Sequence, residues 1–140
     1  MRQEEPDAVD EYGAGRGLGD GERVLLRRVL SDLGLLADLC RSDVLLYGPA
    51  EDSSSAIVIG DAKPRTVPAV HDGSQMGNKV ARASEPVVFR CLSRAATVHG
   101  VTTVSARGAP IVQSAWPIKS DRGVIGVLAI HTNFLEHERQ

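Results

Sequence analysis

The chain has 140 residues, 42% of them apolar and only 4% aromatic, which suits one domain whose core is filled by aliphatic and small side chains. A net charge of −2 and a pI near 6.1 exclude a general basic surface for nucleic-acid phosphates or an anionic bilayer. No apolar run approaches the roughly 20 residues of a membrane helix. The opening Arg2, Glu4, Glu5 and Asp7 do not make a secretory signal, so the expected location is cytoplasmic. Cys40 and Cys91 both fall in apolar helical patterns and read as free, buried thiols in a reducing compartment.

Residues 1–20 are polar, acidic and rich in alternating glycines, and are expected to be a flexible tail. Their spacing is not G-x-G-x-x-G, and no strand precedes it, so a phosphate-binding loop is set aside. Asp20 is the expected cap of a helix from Gly21 to Arg41, whose apolar face is Leu26, Val29, Leu30, Leu33, Leu36, Ala37 and Cys40. Leu25, Leu35 and Leu39 widen that face and suggest a partner subunit. Gly34 marks either a close helix crossing or neutral variation.

Val44–Tyr47 and Ala56–Gly60 read as a hairpin that ends at Pro64, which has no amide to donate. Arg65–Ser84 is broken by Pro68, Gly73 and Gly77 and reads as a long loop, a place where function concentrates. Ser84 is the expected cap of a second helix carrying Val88, Cys91 and Leu92 and stopping near Thr97. Thr97–His99 reads as a short strand and Gly100–Ala109 as a loop. Ile111–Lys119, the turn Ser120–Gly123 and Val124–Ile130 form a closing hairpin. Pro117 belongs at an edge or a bulge. Leu135–Gln140 reads as the start of an exit helix. The order predicts an α+β domain, a central antiparallel sheet flanked by helices, of GAF/PAS type.

Four segments make the chain resemble the N-terminal GAF-like sensor domain of a family of two-component sensor histidine kinases. They are Leu35–Leu39 with Ser42–Tyr47, Asp61-Ala62-Lys63-Pro64, Ser84–Val88, and Trp116-Pro117-Ile118 with Gly123–Ala129 and Thr132-Asn133-Phe134. Two positions depart from the family pattern. Lys63 stands at a basic position normally held by Arg, and Ile130-His131 stands where the family has a polar pair. The resemblance implies signal input and dimerisation by residues 21–134, and no phosphotransfer by this chain.

The expected ligand is an unidentified small molecule, anionic or nucleotide-like, bound between the sheet and the Arg65–Ser84 loop. Arg65, Arg90 and His71 are the candidate polar contacts, and Tyr47 and Trp116 the candidate stacking surfaces. Lys79, Arg82 and Arg94 add to the same basic bias, whose ordinary reading is a solvated surface. His71, His99 and His131 lack the spacing of a metal site, so neither a metal nor a cofactor is expected. His137 on the exit segment reads as an exposed linker residue. Two alternatives stand beside the sensor reading: a ligand-free dimerisation spacer, and a thiol reductase, which requires an exposed, reactive Cys91.

Overall fold

The computed structural model describes residues 7–50, 54–104 and 110–133. Three helices pack on an antiparallel sheet of six strands. The helices are α1 (Ala8–Ala14), α2 (Asp20–Cys40) and α3 (Pro86–Arg94). The strands are β1 (Asp43–Pro49), β2 (Ser55–Ala62), β3 (Lys79–Ala81), β4 (Val98–Val104), β5 (Pro110–Ser120) and β6 (Gly123–Asn133), in the spatial order β3-β2-β1-β6-β5-β4. β1 and β6 therefore lie at the centre, buried on both faces, and this matches their continuous apolar runs.

Alternation along β1 sends Val44 and Leu46 to one face and Leu45 and Tyr47 to the other. The first face is covered by Leu26, Leu33 and Ala37 of α2 and by Val9 and Tyr12 of α1. The second is covered by Val87, Val88, Phe89 and Cys91 of α3. The closing hairpin turns at Gly123, whose φ of 108° favours glycine, while Asp121 keeps a negative φ. Pro117 lies beyond Ala115, where β4 stops pairing with β5, so on that side the strand is an edge, while on the other it pairs with Val127 of β6. A bulge follows it between Ile118 and Lys119.

Four expectations need correction. The stretch expected to be a tail contains α1, because Asp7 caps Asp10 N–H at 2.8 Å and Val9 and Tyr12 are buried. Asp10 further pairs with Arg23 and Arg27 of α2. The long loop contains β3, which pairs with β2 at Ser55–Ile57. β4 runs on to Val104 into the stretch expected to be a loop. α3 starts at Pro86 with Glu85 before it and ends at Arg94, three residues short of Thr97. Gly34 meets nothing within 4 Å among the described residues, so it marks no helix crossing between them. The exit helix lies outside the described residues.

Gly48 is a place where backbone and helix α1 approach closely. A Cβ there would stand 2.5 Å from Tyr12 Cζ and 2.9 Å from Ile59 Cδ1. Tyr12 also donates to Ile125 O at 3.1 Å, so its ring has little freedom to move. Gly48→Ala is expected to cost about 1–3 kcal/mol in urea unfolding by displacing α1. Gly34→Ala, in open space, is the control and is expected to gain up to about 1 kcal/mol.

Candidate functional site

The register of the sheet brings polar residues into one row on the α3 face. Asp43 of β1 pairs with His131 of β6, and His131 pairs with Gln113 of β5. All three side chains are buried. The next row along the same face is Leu45, Ala129 and Ala115, so polar residues give way at once to apolar ones.

The segment after β2 closes over this row. Asp43 Oδ1 accepts from Val70 N–H at 2.8 Å, and Oδ2 accepts from His71 N–H at 2.9 Å and from Lys63 Nζ at 3.3 Å. One buried carboxylate thus holds three points of the loop, which satisfies a charge that burial alone would penalise. The second attachment is between side chains. His71 Nε2 lies 2.8 Å from His131 Nδ1, and one N–H is shared between them. A third lies further along, where Asp61 accepts from Ser74 Oγ at 2.7 Å and Gln75 N–H at 2.8 Å. At the start of α3, Glu85 accepts from Gln113 Nε2 at 3.4 Å.

Burial sets the protonation of this cluster. His131 has no exposed surface, and burial pushes its pKa down to about 3, with His71 adding to the effect. His71 is also lowered, chiefly by burial and against the pull of Asp43. Both imidazoles are therefore neutral at pH 7. Glu85 is raised by burial, partly opposed by its hydrogen bond from Gln113. His131 Nε2 is buried and has no hydrogen-bond partner among the described residues. Its tautomer follows the shared bond, so Nε2 is a donor or an acceptor according to which ring holds that proton.

Of the five residues expected to line a site, the structure brings only His71 into this cluster. Tyr47 lies on the same face of β1, two residues on from Leu45, but inside the apolar core, where burial raises its pKa further. Arg65 is exposed and spent on Asp38 of α2, with Nε to Oδ2 at 2.8 Å and its own N–H to Oδ1 at 2.9 Å. Arg90 points to solvent from α3. Trp116 packs edge-on against His99, on the strands away from His71. Asp43, Lys63, Glu85, Gln113 and His131 make up the rest of the cluster and were not expected. The signal for one of them was present: a histidine in place of the usual residue at the end of an apolar central strand.

No group of three or more metal-ligating side chains exists among the described residues. Cys91 of α3 is fully buried against the sheet, and burial raises its thiol to about 11, the opposite of what thiolate chemistry needs. Cys40 is partly exposed, which corrects the expectation that both thiols are buried. No helix of the described residues is long and apolar enough to cross a membrane.

Comparison with known proteins gives the fold a family. The sensor region of a sensor histidine kinase superposes with a TM-score of 0.67 at 23% identity, over 91% of this chain and 42% of that one. The chain thus spans less than half the length of that sensor region. An IcIR transcriptional regulator from Alicyclobacillus acidocaldarius gives 0.53 at 14% identity, over 76% of this chain and 56% of that one. An IclR-family regulator from Brucella abortus gives 0.50 at 14% identity, over 81% and 54%. These likenesses speak to fold alone. No curated protein matches the sequence. Residues 14–140 match the family model of the GAF domain of the histidine kinase PdtaS, so the chain belongs to that family and is a sensor domain of α+β GAF fold, not a catalytic kinase domain.

Proposed function

We propose that this domain is a cytoplasmic signal-input module that binds a small ligand beneath the loop 63–78 and reports it through a homodimer. The observation that carries the reading is His131: a fully buried imidazole whose Nε2 has no partner among the described residues, under a loop pinned at Asp43 and His71. A buried nitrogen without a partner is costly, and a ligand atom that bonded to it would recover that cost. Such a ligand would need one hydrogen-bonding atom and no charge requirement, since both histidines are neutral. The His71–His131 bond gives the loop a contact that ligand binding can make or break, which is the differential interaction a population shift requires. Dimerisation is supported by α2, where Val24, Leu35 and Leu39 are 57%, 61% and 72% exposed.

Native mass spectrometry of protein purified directly from cells tests the ligand. A noncovalent adduct is expected that disappears on denaturation and is lost in His131→Leu, while Arg65→Ala retains it. An adduct that survives His131→Leu places the ligand elsewhere. A dimer with no adduct in any sample leaves the spacer reading in its place.

A further inference from the structure

We infer that α2 forms an antiparallel, two-fold seam with α2 of a second copy, centred on the helix turn around Leu30. The inference rests on the dimeric half of the reading above and fixes its geometry. Gly21, Leu25, Arg28, Asp32, Leu35 and Leu39 are all exposed and lie along one stripe of the helix. Their spacing alternates four and three residues, the pattern of a helix–helix seam. Leu26, Leu33 and Ala37 lie on the other side, buried against the sheet. Among the described residues, the outward stripe is therefore extra to what the fold uses.

The stripe reads alike from either end. An antiparallel neighbour about a two-fold axis at Leu30 sets Leu25 against Leu35 of the second copy, and Arg28 against Asp32. It also sets Leu39 against Gly21, and a two-fold contact makes each pairing twice. Arg28 and Asp32 make no ion pair among the described residues, although they stand one turn apart. Arg preceding Asp is the weaker order for a pair within one helix. Across the seam both charges find an opposite partner between two leucine contacts. Gly21 meets nothing within 4 Å, so space is open there for Leu39. A parallel neighbour would instead set Arg28 on Arg28 and Asp32 on Asp32, with like charges facing. Charge complementarity thus selects both the occupant and its direction.

Sedimentation and thiol cross-linking of the 140-residue chain in a Cys40→Ser background test this. The dimer is expected, and Arg28→Asp or Asp32→Arg is expected to weaken it by about tenfold or more. The double exchange R28D/D32R is expected to restore it. Copies carrying L25C mixed with copies carrying L35C are expected to cross-link to each other, and neither to cross-link alone. These side chains are exposed, so an unchanged circular-dichroism spectrum confirms that each variant folds. L25C cross-linking to itself would overturn the antiparallel seam and leave the dimer standing. A dimer unaffected by either charge reversal, with no L25C–L35C product, would place the interface elsewhere. A monomer at every concentration would overturn both the seam and the dimeric reading.

Discussion

Asp43→Ala is expected to lower stability by about 3–5 kcal/mol, the largest loss of any single polar substitution in this domain. Asp43 is 2% exposed and its two oxygens hold the amides of Val70 and His71 and the Lys63 ammonium. Alanine leaves those amides without acceptors under a buried loop. It also frees the backbone of His71, on whose position the bond to His131 depends. Asp43→Asn keeps one carbonyl acceptor but turns an amide group toward an amide donor, so a loss of about half that size is expected. Urea unfolding measures both, and hydrogen exchange at Val70 and His71 should accelerate in the same order. A loss below about 1 kcal/mol for Asp43→Ala would mean that the loop is held by other contacts.

Acid is expected to destabilise the folded domain before its salt-bridged carboxylates titrate. His131 has an ordinary value of 6.5 when unfolded and about 3 when folded, so between these values the unfolded chain binds a proton that the native chain refuses. Stability is therefore full above about pH 6.5, falls as the pH drops, and levels off for this group near pH 3. One such proton is worth about 1.4 kcal/mol per pH unit, so about 2 kcal/mol is lost by pH 5. His71 is lowered too and adds in the same direction. Glu85 acts in the opposite sense, because its raised value lets the folded state take up a proton first. Asp7, Asp38 and Glu22 are lowered, chiefly by hydrogen bonds from Arg27, Arg65 and Ser120 respectively, and contribute only below about pH 4.5. Chemical unfolding at pH 7.5 and pH 5 checks the slope. His131→Gln, which cannot titrate, should remove most of it. An equal slope in the variant would show that His131 is not the group responsible.

Much of the fold was legible because its signals are local. Leu26, Leu33 and Ala37 recur at helical spacing, and Val124–Ile130 is a continuous apolar run, so α2 and the central strand follow from periodicity alone. α1 was hidden because much of its support is distant: Tyr12 packs at Gly48 and donates to Ile125, and Asp10 pairs with Arg23 and Arg27. β3 was hidden because three residues carry no period. The candidate site was hidden for a related reason. Asp43, His131 and Gln113 are joined by strand register, and His71 reaches them across a loop without periodicity. Basic composition drew attention to Arg65 and Arg90, but a count of charges does not say which are already paired.

The spatial order of the strands also bears on how the domain is made. The first strand, β1, finds its central neighbour only in the last, β6. During synthesis the hairpin of β1 and β2 can form early, yet the floor under α2 is incomplete until β6 leaves the ribosome. Closing so long a stretch of chain is the slow, entropically costly step of such a topology. His131 sits near the end of that last strand, so the lock on the loop is among the last contacts to form. A nascent or truncated chain that lacks β6 is left with an open strand edge on β1 and a leucine-rich helix only partly covered, the features by which a cell's quality-control machinery recognises unfinished protein.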